Sequence, residues 1–421
     1  MWLWLLYACT CVAPAPEPEA AGGGEASPFD PKDPEQGLFQ RTQVADEIAA
    51  LQALGYVDGA EPAPARSGVT VHRAETPPAR LLWTSGHAPE AYLMERDGTV
   101  LHTWRKAYED LFPDKLHGEG RGRSYWRRVH LYDDGSLLVV FEAQGLAKLT
   151  RDSEVVWRLH EAVHHDVKVG PDGRITTLTR KAHVKPRIHP RRPILEDYVA
   201  EISPEGRVLR EVSVLDALLD SEFASIWTQR KSHGDLFHTN GVVVLDGRWS
   251  DRLPEWTAGR VLVSLRALHA LLVIDLDQAR VVWAGTGSWR RQHDPRLLDE
   301  TLLLFDNLGG GTPQRPASRV LEVDPVRLEP TWVYEGSEDA PFFSRFCGAA
   351  ERFADGTTMV SDSWVGRAFE LDGAGEIQWV FINPHRAGED DAFIAVLPEM
   401  LRLPPDTGAS WLQPQPDREG R

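Results

Sequence analysis

The chain has 421 residues, of which 42% are hydrophobic and 26% are charged, as in an ordinary soluble globular protein, and the length fits two or three domains or one large repeat-built domain. Its 46 lysines and arginines stand against 63 aspartates and glutamates, giving a net charge of −17, which argues against binding to nucleic acid and disfavours a polybasic membrane patch. Its three cysteines include no CxxC pair beside a histidine cluster, so a structural zinc site has no support.

The N-terminus reads as an export signal followed by a tether. Leu6-Tyr7-Ala8-Cys9 resembles a bacterial lipobox, which predicts a lipoprotein-type signal in residues 1–11 and lipidation of Cys9. No lysine or arginine precedes this apolar run, as one would in a usual secretory signal, so a start codon further upstream and a meaningless frayed end both stay open. Residues 12–37 are rich in Pro, Glu, Gly and Ala and predict a disordered linker. The expected location is the periplasm or the cell surface, with a lipid anchor.

Residues 38–80 are predicted to contain a short helix and extended chain. Apolar residues repeat at helical spacing across residues 40–57, namely Val44, Ile48, Leu51 and Leu54. This helix is expected to pack on the main domain, and it carries no evident chemistry.

From Leu81 onward the sequence repeats a unit of two apolar strands joined by an acidic turn, often with a tryptophan in the second strand. Asp-Gly between alternating apolar runs is the strongest short signal for a hairpin. Six such units occur: AYLMERDGTVLHTW, LAKLTRDSEVVWRL, YVAEISPEGRVLREV, LLVIDLDQARVVW, RVLEVDPVRLEPTWVY and AFELDGAGEIQWVF. An upstream hairpin, such as VHLYDDGSLLVVFE, brings each unit to four strands.

Four-stranded units at a period of roughly 40–50 residues predict the blades of a β-propeller. The prediction is an all-β protein with a six-bladed propeller over residues 81–402 and a tail over residues 403–421; seven blades are the alternative. The spacing stretches at residues 182–196 and 247–258, which are predicted to be loop insertions. DAFIAVLPEMLRL is expected to supply a closing strand or a helix under the ring.

Polar residues recur where the innermost strands of several blades begin. These strands line the axis of a propeller, so their first residues converge on one point. The convergent set is Arg128 and His130 in blade 2, His164, His165 and Asp166 in blade 3, Asp235, His238, Asn240 and Arg266 in blade 4, and Gln292, His293 and Asp294 in blade 5. A single histidine at a strand end is usually a hydrogen-bonded structural group. Repetition in consecutive blades, each time beside Asp or Asn, favours a shared functional centre.

Histidines together with an arginine and an asparagine make a donor-rich pocket that suits a small anion such as a sulfate or phosphate ester. A neutral histidine, with a reference pKa of ~6.5, is also a competent nucleophile. Three histidines and a carboxylate would also hold zinc or iron. Arg266 and Asn240 are poor metal ligands, so no metal and no other cofactor is expected.

Four segments of the chain, in this order, are similar to the bacterial arylsulfate sulfotransferases, the type that uses an ester donor and no nucleotide sulfate. They are HHDV with PDGRI, DLFHTN, VSLRALHALLVIDLDQARVVWAGTG and QHDPRLLDETLLLFDN, and INPHRAGEDD follows near the end. The resemblance covers roughly residues 81–390. It implies a six-bladed propeller that moves a sulfuryl group from an aryl sulfate donor to a phenolic acceptor by a ping-pong reaction through sulfohistidine.

The resemblance also implies roles for individual residues. It makes His293 of QHDP the nucleophile and places His238 of HTN, Arg266 of SLR and either His164 or His165 around the sulfuryl oxygens, with Asn240 and Arg128 as further substrate-binding residues. The match of HHD with QHD favours His165, whereas the distance to the following turn favours His164, and strand alternation points the two in opposite directions. One of the basic groups is expected to protonate the departing phenolate.

The chain also departs from the best-known members of that family. They have a substantial N-terminal β-domain used in dimerisation and a disulfide near the nucleophile, whereas this chain offers only a short segment before Leu81 and the single Cys347, which is expected to be a small buried hydrophobe. Trp126, Trp289 and Phe237 are candidates for phenol selectivity. Two alternatives stay open: a non-catalytic extracytoplasmic propeller that binds small anions, and a metal-dependent hydrolase or lactonase propeller. The oligomeric state is not indicated.

Overall fold

Antiparallel strands make up most of the regular secondary structure in the computed structural model of the chain. It describes residues 43–48, 50, 59–115, 121–227 and 233–412. The chain divides into residues 1–43 and residues 44–421, and apart from Gln43 every described residue belongs to the second unit. The predicted signal with Cys9, the predicted linker and the last nine residues of the predicted tail lie outside the described residues.

The described elements are short and almost all extended. Helical residues of α1 are described at 43–48 and 50, inside the helix predicted over residues 40–57, and α2 Tyr108–Leu111 and α3 Val214–Leu219 follow. In chain order the strands are β1 Gly59–Pro62, β2 Gly68–His72, β3 Arg80–Thr84, β4 Glu90–Glu95, β5 Val100–Arg105, β6 Arg128–Leu131, β7 Leu137–Phe141, β8 Gly145–Leu149, β9 Val155–Leu159, β10 Val163–Val169, β11 Ile175–Val184, β12 Pro193–Ile202, β13 Val208–Ser213, β14 Gly234–Asp235, β15 Thr239–Val244, β16 Val261–Leu265, β17 Ala270–Asp275, β18 Arg280–Thr286, β19 His293–Leu297, β20 Leu302–Thr312, β21 Arg315–Val323, β22 Pro330–Tyr334, β23 Ala349–Arg352, β24 Thr358–Asp362, β25 Arg367–Leu371, β26 Ile377–Ile382, β27 Arg386–Ala387, β28 Phe393–Ala395 and β29 Met400–Leu403.

Six of the sheets contain four antiparallel strands in succession and form the blades of a propeller. They are β29-β3-β4-β5, β6-β7-β8-β9, β10-β11-β12-β13, β15-β16-β17-β18, β19-β20-β21-β22 and β23-β24-β25-β26, numbered here as blades 1 to 6. The first strands contact one another from blade to blade, β6 with β10, β10 with β15 and β15 with β19, so they line a common axis. The prediction of an all-β, six-bladed propeller is confirmed.

The ring is closed by a strand from near the C-terminus. β29 pairs with β3, with Met400 opposite Trp83 and Leu403 opposite Arg80, and becomes the innermost strand of blade 1. The Met400 amide donates a 2.9 Å hydrogen bond to Ser361 Oγ of blade 6. The closing strand predicted from the C-terminal sequence is therefore confirmed as β29.

The first of the two predicted loop insertions is a loop only in its central part. Residues 182–184 belong to β11 and residues 193–196 to β12, which pair from Ile175 opposite Ile202 to Val184 opposite Pro193, and residues 185–192 connect the two strands. The basic residues of this segment stay extended because Glu196, on the partner strand, accepts hydrogen bonds from His183 and Lys185. The second segment, residues 247–258, is a connection between β15 and β16 as predicted.

The recurring tryptophan forms a hydrogen bond to a turn of the neighbouring blade. The Nε1 atoms of Trp104, Trp157 and Trp379 donate to the carbonyls of Gly135, Pro204 and Arg96, at 3.0, 2.9 and 2.9 Å respectively. A Cβ on Gly206 would stand 2.5 Å from the Trp157 ring, so the turn glycine leaves room for the indole. The repeat in the sequence thus records contacts between blades as well as the strands within each one.

Acidic side chains near the axis form hydrogen bonds that link three pairs of neighbouring blades. Glu142 of blade 2 accepts the His165 amide at 2.9 Å, Asp166 of blade 3 accepts the Val242 amide at 3.1 Å, and Asp294 of blade 5 accepts the Ala350 amide at 3.2 Å. These side chains are at most 2% exposed. These bonds join neighbouring blades close to the positions of the histidines predicted to form the functional centre. None of the helices among the described residues has the length and apolar character needed to cross a membrane.

Candidate active site

Three inner strands begin in irregular backbone that carries a histidine. The strand register shifts between His164 and Val167 in blade 3, between Thr239 and Gly241 in blade 4, and after His293 in blade 5. His165 and His238 adopt positive φ angles of 59° and 51°. Such a conformation costs roughly 1–3 kcal/mol and occurs preferentially at functional sites, and a bulge redirects the side chain that follows it.

The surroundings of His293 determine its tautomer. Its Nδ1 lies 2.6 Å from Asn307 Oδ1 and 3.0 Å from the Arg291 carbonyl, and both of these atoms are hydrogen-bond acceptors. The Asn307 amide is oriented by its Nδ2, which donates to the carbonyls of Ser344 and Cys347. Nδ1 therefore carries the proton, and the neutral ring keeps its lone pair on Nε2.

His293 is held in this neutral form. The side chain is only 3% exposed, and its burial together with the Arg266 guanidinium lowers its pKa well below the usual value for histidine. Arg266 is 7% exposed, and its amide donates to the His238 carbonyl at 3.3 Å, which ties it to the neighbouring strand. Within the described residues its guanidinium pairs with no carboxylate and lies 5.4 Å from the centre of the Phe346 ring.

His238 is the more accessible histidine of this centre and forms a dyad with Asp235. Its Nδ1 lies 2.6 Å from Asp235 Oδ2, and its amide donates to Oδ1 of the same carboxylate at 3.0 Å. Burial raises the pKa of Asp235, but the opposing effect of His238 is larger and lowers the pKa of this carboxyl to about 2. A carboxylate on Nδ1 stabilises a proton on the ring and leaves Nε2 for exchange with a reactant.

The two histidines of blade 3 occupy different surroundings. The His165 ring lies 5.0 Å from the His238 ring at an angle of 76°, whereas His164 Nε2 lies 3.6 Å from Asp197 Oδ1. The Nδ1 atoms of His164 and His165 are 2.7 Å apart. His165 thus adjoins His238 and His164 lies on the side of Asp197, whose pKa is raised to about 7 by burial and by Asp235.

Two buried arginines near these histidines were missed by the sequence interpretation. Burial, the neighbouring histidines and the guanidinium groups of Arg127 and Arg180 lower the pKa of His165 well below its usual value. Arg127 and Arg180 are 4% and 6% exposed. The pocket is therefore more cationic than the sequence analysis predicted.

The position within the sequence repeat identifies Arg180 and Asn307, the asparagine that accepts the hydrogen bond from His293. Each lies seven residues after a turn residue and at the sixth position counted from the start of the second strand of its blade. The equivalent residues are Glu142, Arg180, Arg266 and Asn307, after Gly135, Gly173, Gly259 and Glu300. The second strands end at the same side of the ring as the first strands begin, because the two are antiparallel. Aligning the repeats on their turns would have shown this polar ring.

Arg128 does not lie among the histidines. Its Nε donates to the His165 carbonyl at 3.1 Å, its Nη2 donates to Asp294 Oδ1 at 3.3 Å, and it also pairs with Glu399. These contacts give no support to the predicted substrate-binding role, and they make Arg128 a positioning residue beneath the site. Strand alternation explains the difference, because the adjacent Arg127 points the opposite way.

Asn240 joins blades 4 and 5 beside His293. Its Nδ2 donates to the Gln292 carbonyl at 2.8 Å, and the Gln292 amide in turn donates to Ser264 Oγ and to two backbone carbonyls. Asn240 Oδ1 is buried and has no hydrogen-bond partner in the described part of the chain. The predicted role of Asn240 in binding substrate stays a prediction.

The aromatic residues suggested for phenol selectivity belong to the core. Trp126, Trp289 and Phe237 are 0%, 1% and 2% exposed, and Trp289 Nε1 donates to the His269 carbonyl. Cys347, in contrast, is half-buried rather than buried. It adopts a φ of 60°, and its carbonyl accepts a hydrogen bond from Asn307. Its neighbour Phe346 is also half-buried, and the guanidinium carbon of Arg266 lies 5.4 Å from the centre of the Phe346 ring.

Glu142, His164 and His165 are the described residues whose arrangement comes nearest to a metal site, with ligand atoms within 4.8 Å of one another. Two nitrogens bound ~2.05 Å from a tetrahedral zinc would be about 3.3 Å apart. The 2.7 Å between the two Nδ1 atoms is instead the length of a hydrogen bond. The arginines nearby also oppose a cation, so the arrangement suits an anion.

The assembled site can bind a small anion and attack it. His293 presents Nε2, the His238–Asp235 dyad can hold and release a proton, and Arg266 supplies a positive charge that no carboxylate of the described residues neutralises. This combination fits group transfer from an ester whose leaving group departs with negative charge.

Comparisons with known proteins give a family for the chain and solved structures that it resembles. Residues 128–384 match the family described as Arylsulfotransferase (ASST). No curated protein matches the chain. Among solved structures, a protein of unknown function from Bacteroides caccae is similar in fold, with 13% identity, coverage of 78% of this chain and 99% of that one, and a TM-score of 0.51. The β-propeller domain of Cps50 (Swd1) from Myceliophteria thermophila gives 9% identity, coverage of 79% and 89%, and a TM-score of 0.41. These likenesses concern the fold alone.

Proposed function

The chain belongs to the arylsulfotransferase family and is an enzyme that transfers sulfuryl groups from aryl sulfates to phenols, and we propose that His293 carries the group as sulfohistidine. The observation that carries this proposal is the tautomer of His293, whose Nδ1 faces two acceptor oxygens and whose Nε2 is left with its lone pair. The lowered pKa of this ring keeps it neutral and therefore nucleophilic at physiological pH.

In the first half-reaction, His293 Nε2 attacks the sulfur of the aryl sulfate and the bond between sulfur and the aryl oxygen breaks. The phenolate leaves and takes a proton from His238, whose ring is oriented by Asp235. The sulfurylated ring is positively charged at its nitrogens, and Asn307 Oδ1 and the Arg291 carbonyl stabilise this charge through the Nδ1 proton. Arg266 and His165 would stabilise the charge on the sulfuryl oxygens.

In the second half-reaction, an acceptor phenol gives its proton to the now neutral His238 and its oxygen attacks the sulfur. The bond between Nε2 and sulfur breaks and His293 returns to its starting state. Atoms and protons balance over the cycle, so no cofactor is required by this route. The same pocket can hold the departing and the arriving phenol in turn.

The test is a single-turnover experiment with p-nitrophenyl sulfate and no acceptor. We expect a burst of nitrophenol stoichiometric with enzyme, and a peptide containing His293 that is heavier by one SO₃ group. Addition of phenol should remove the modification and yield phenyl sulfate. Release of nitrophenol without any modified peptide would contradict the covalent route, and no release from correctly folded protein would favour a propeller that only binds anions.

We also propose a location in the periplasm or at the cell surface, with a lipid attached to Cys9. The lipobox-like Leu6-Tyr7-Ala8-Cys9 and the low-complexity tether after it support this proposal. Metabolic labelling with a fatty acid in a bacterial host tests it, with Cys9→Ser as the control. Equal labelling of both proteins, or none of either, would contradict lipidation at Cys9.

A further inference from the structure

Two arginines beside the proposed sulfuryl pocket have no counterion in the part of the chain that the structure describes. In the described residues neither Arg291 nor Arg345 forms an ion pair, although arginines elsewhere in blades 4 to 6 commonly do, as in the pairs of Arg319 with Asp306 and Arg296 with Glu351. The chain has 17 more acidic than basic residues, so most arginines are expected to find a carboxylate partner.

The two arginines lie close to each other and to Arg266. Burial and the positive charges of Arg266 and Arg345 lower the pKa of Arg291, which is the effect of like charges without a neutralising carboxylate. The guanidinium carbons of Arg266 and Arg345 lie 5.4 and 5.5 Å from the centre of the Phe346 ring. Arg345 is exposed and Phe346 is half-buried, so both can contact a ligand.

The Phe346 ring is also fixed relative to the proposed nucleophile. Asn307 accepts from His293 with its Oδ1 and donates to the carbonyls of Ser344 and Cys347 with its Nδ2, so a single amide holds both the nucleophile and the loop that carries Phe346. On its other side the Phe346 ring packs on Trp364 at a centroid distance of 5.1 Å.

We propose that Arg291, Arg345 and Phe346 form a subsite for the aromatic ring of the substrate together with an anionic substituent on that ring. This inference rests on the proposed function. The sulfuryl group carries one negative charge and is matched by Arg266, which leaves the charges of Arg291 and Arg345 for a second anionic group. The substrates are therefore phenols, and their sulfate esters, that carry a carboxylate or a second sulfate.

A ping-pong reaction makes this subsite serve both partners. The aryl group of the donor leaves before the acceptor arrives, so one place beside the sulfuryl group accommodates each in turn. An anionic substituent should therefore help an aryl sulfate donor and a phenol acceptor alike.

The experiment compares two acceptors of matched phenol acidity, 3-(4-hydroxyphenyl)propionate and its primary amide, with p-nitrophenyl sulfate as the donor. We expect kcat/KM for the propionate to exceed that for the amide by about tenfold or more at low ionic strength, because a charge-assisted hydrogen bond is stronger than a neutral one. The advantage should shrink as salt is added.

Variants assign the effect to its residues. Arg345→Gln and Arg291→Gln should each cut the ratio of propionate to amide several-fold, whereas Phe346→Leu should raise KM for both acceptors and leave the ratio unchanged. The matched control is Arg207→Gln, which removes one exposed positive charge from the turn between β12 and β13. It should change neither the ratio nor the rate.

The outcomes separate this proposal from the proposed function. Transfer to both acceptors with equal kcat/KM would overturn the subsite and leave the transferase intact. If neither acceptor is sulfated, the proposed function fails, and calorimetric binding of the two compounds decides the subsite alone. Binding of the propionate about tenfold tighter than the amide, lost in Arg345→Gln, would support it. Equal binding of the two compounds would overturn it.

Discussion

Arginines lie at two levels along the axis of the propeller, which we call the floor (Arg128 and Arg296) and the pocket (Arg266 and Arg291). The two levels differ in whether carboxylates pair with these arginines. At the floor, Arg128 contacts Asp294 and Glu399, and Arg296 contacts the same two carboxylates. At the pocket, Arg266 and Arg291 have no carboxylate partner within the described residues, and Arg266 contributes to the lowered pKa of His293. A cation already paired with carboxylates positions the strands, whereas a buried cation without one is available to a ligand.

The largest difference between the two levels should appear in His293→Ala. Removing the nucleophile should lower transfer by a factor on the order of 10⁵, as the loss of a covalent nucleophile does elsewhere. The free energy of unfolding should change little, because the ring is held neutral and Asn307 keeps its two other hydrogen bonds. The measurement is the burst amplitude with p-nitrophenyl sulfate beside a urea titration.

At the floor we expect the reverse pattern for Arg128→Met. The substitution leaves Asp294 and Glu399 buried with fewer partners, and breaking a buried ion pair by removing one side costs roughly 3–5 kcal/mol. Urea denaturation measures this loss. The double variant Arg128→Met with Glu399→Gln should recover part of it, because one orphaned carboxylate is removed. An Arg128→Met protein of unchanged stability would show that the floor network contributes nothing to the fold.

The difference between the two levels also explains what could be predicted from the sequence. The blades, the closing strand and the positions of His165, His238 and His293 follow from turns, alternation and repetition. The partner of each charge does not, because it depends on pairing across the axis between blades distant in sequence. Arg127 and Arg128 are adjacent and chemically identical, and only the direction of each side chain separates pocket from floor. Arg180 and Asn307 were within reach of the sequence, since both align with Arg266 when the repeats are superposed on their turns.

A smaller effect, confined to catalysis, is expected for Arg266→Met at the pocket. Loss of one group that stabilises developing negative charge typically lowers the rate by 10²–10³. Because Arg266 has no carboxylate partner among the described residues, the variant should be as stable as the parent or more stable. Kinetics with p-nitrophenyl sulfate and a thermal melt check both halves of this prediction. A stability loss like that of Arg128→Met would mean that the two levels do not differ as argued.

The smallest effect is on the pH dependence of stability. The pocket and the floor should change the free energy of unfolding over different pH ranges. At the pocket, burial lowers the pKa of His164, His165 and His293 well below their usual value. The unfolded chain then binds more protons than the folded one, so stability falls as the pH drops below the unfolded histidine value of ~6.5, by roughly 1.4 kcal/mol per pH unit for each histidine.

Two carboxyl groups, those of Asp197 and Asp294, also affect how stability depends on pH. The pKa of Asp197 is raised to about 7, so its stabilising contribution is present at low pH and is lost as the pH rises through that value, which offsets one histidine. At the floor, Arg296 and Arg128 outweigh burial and lower the pKa of Asp294, so its contribution is present above the unfolded value of ~3.9 and is lost as the pH falls below it. Urea titrations from pH 7.5 to 5 lie above the range in which Asp294 contributes. Burial also lowers the pKa of His87, His130, His160 and His385, which add to the fall in stability over this range, so the share of the pocket is read from a pocket variant. We expect a clear fall in the free energy of unfolding across this range, less steep in His164→Gln. A flat profile would mean that the pocket histidines bind protons in the folded state, and that His293 is not held neutral as a nucleophile requires.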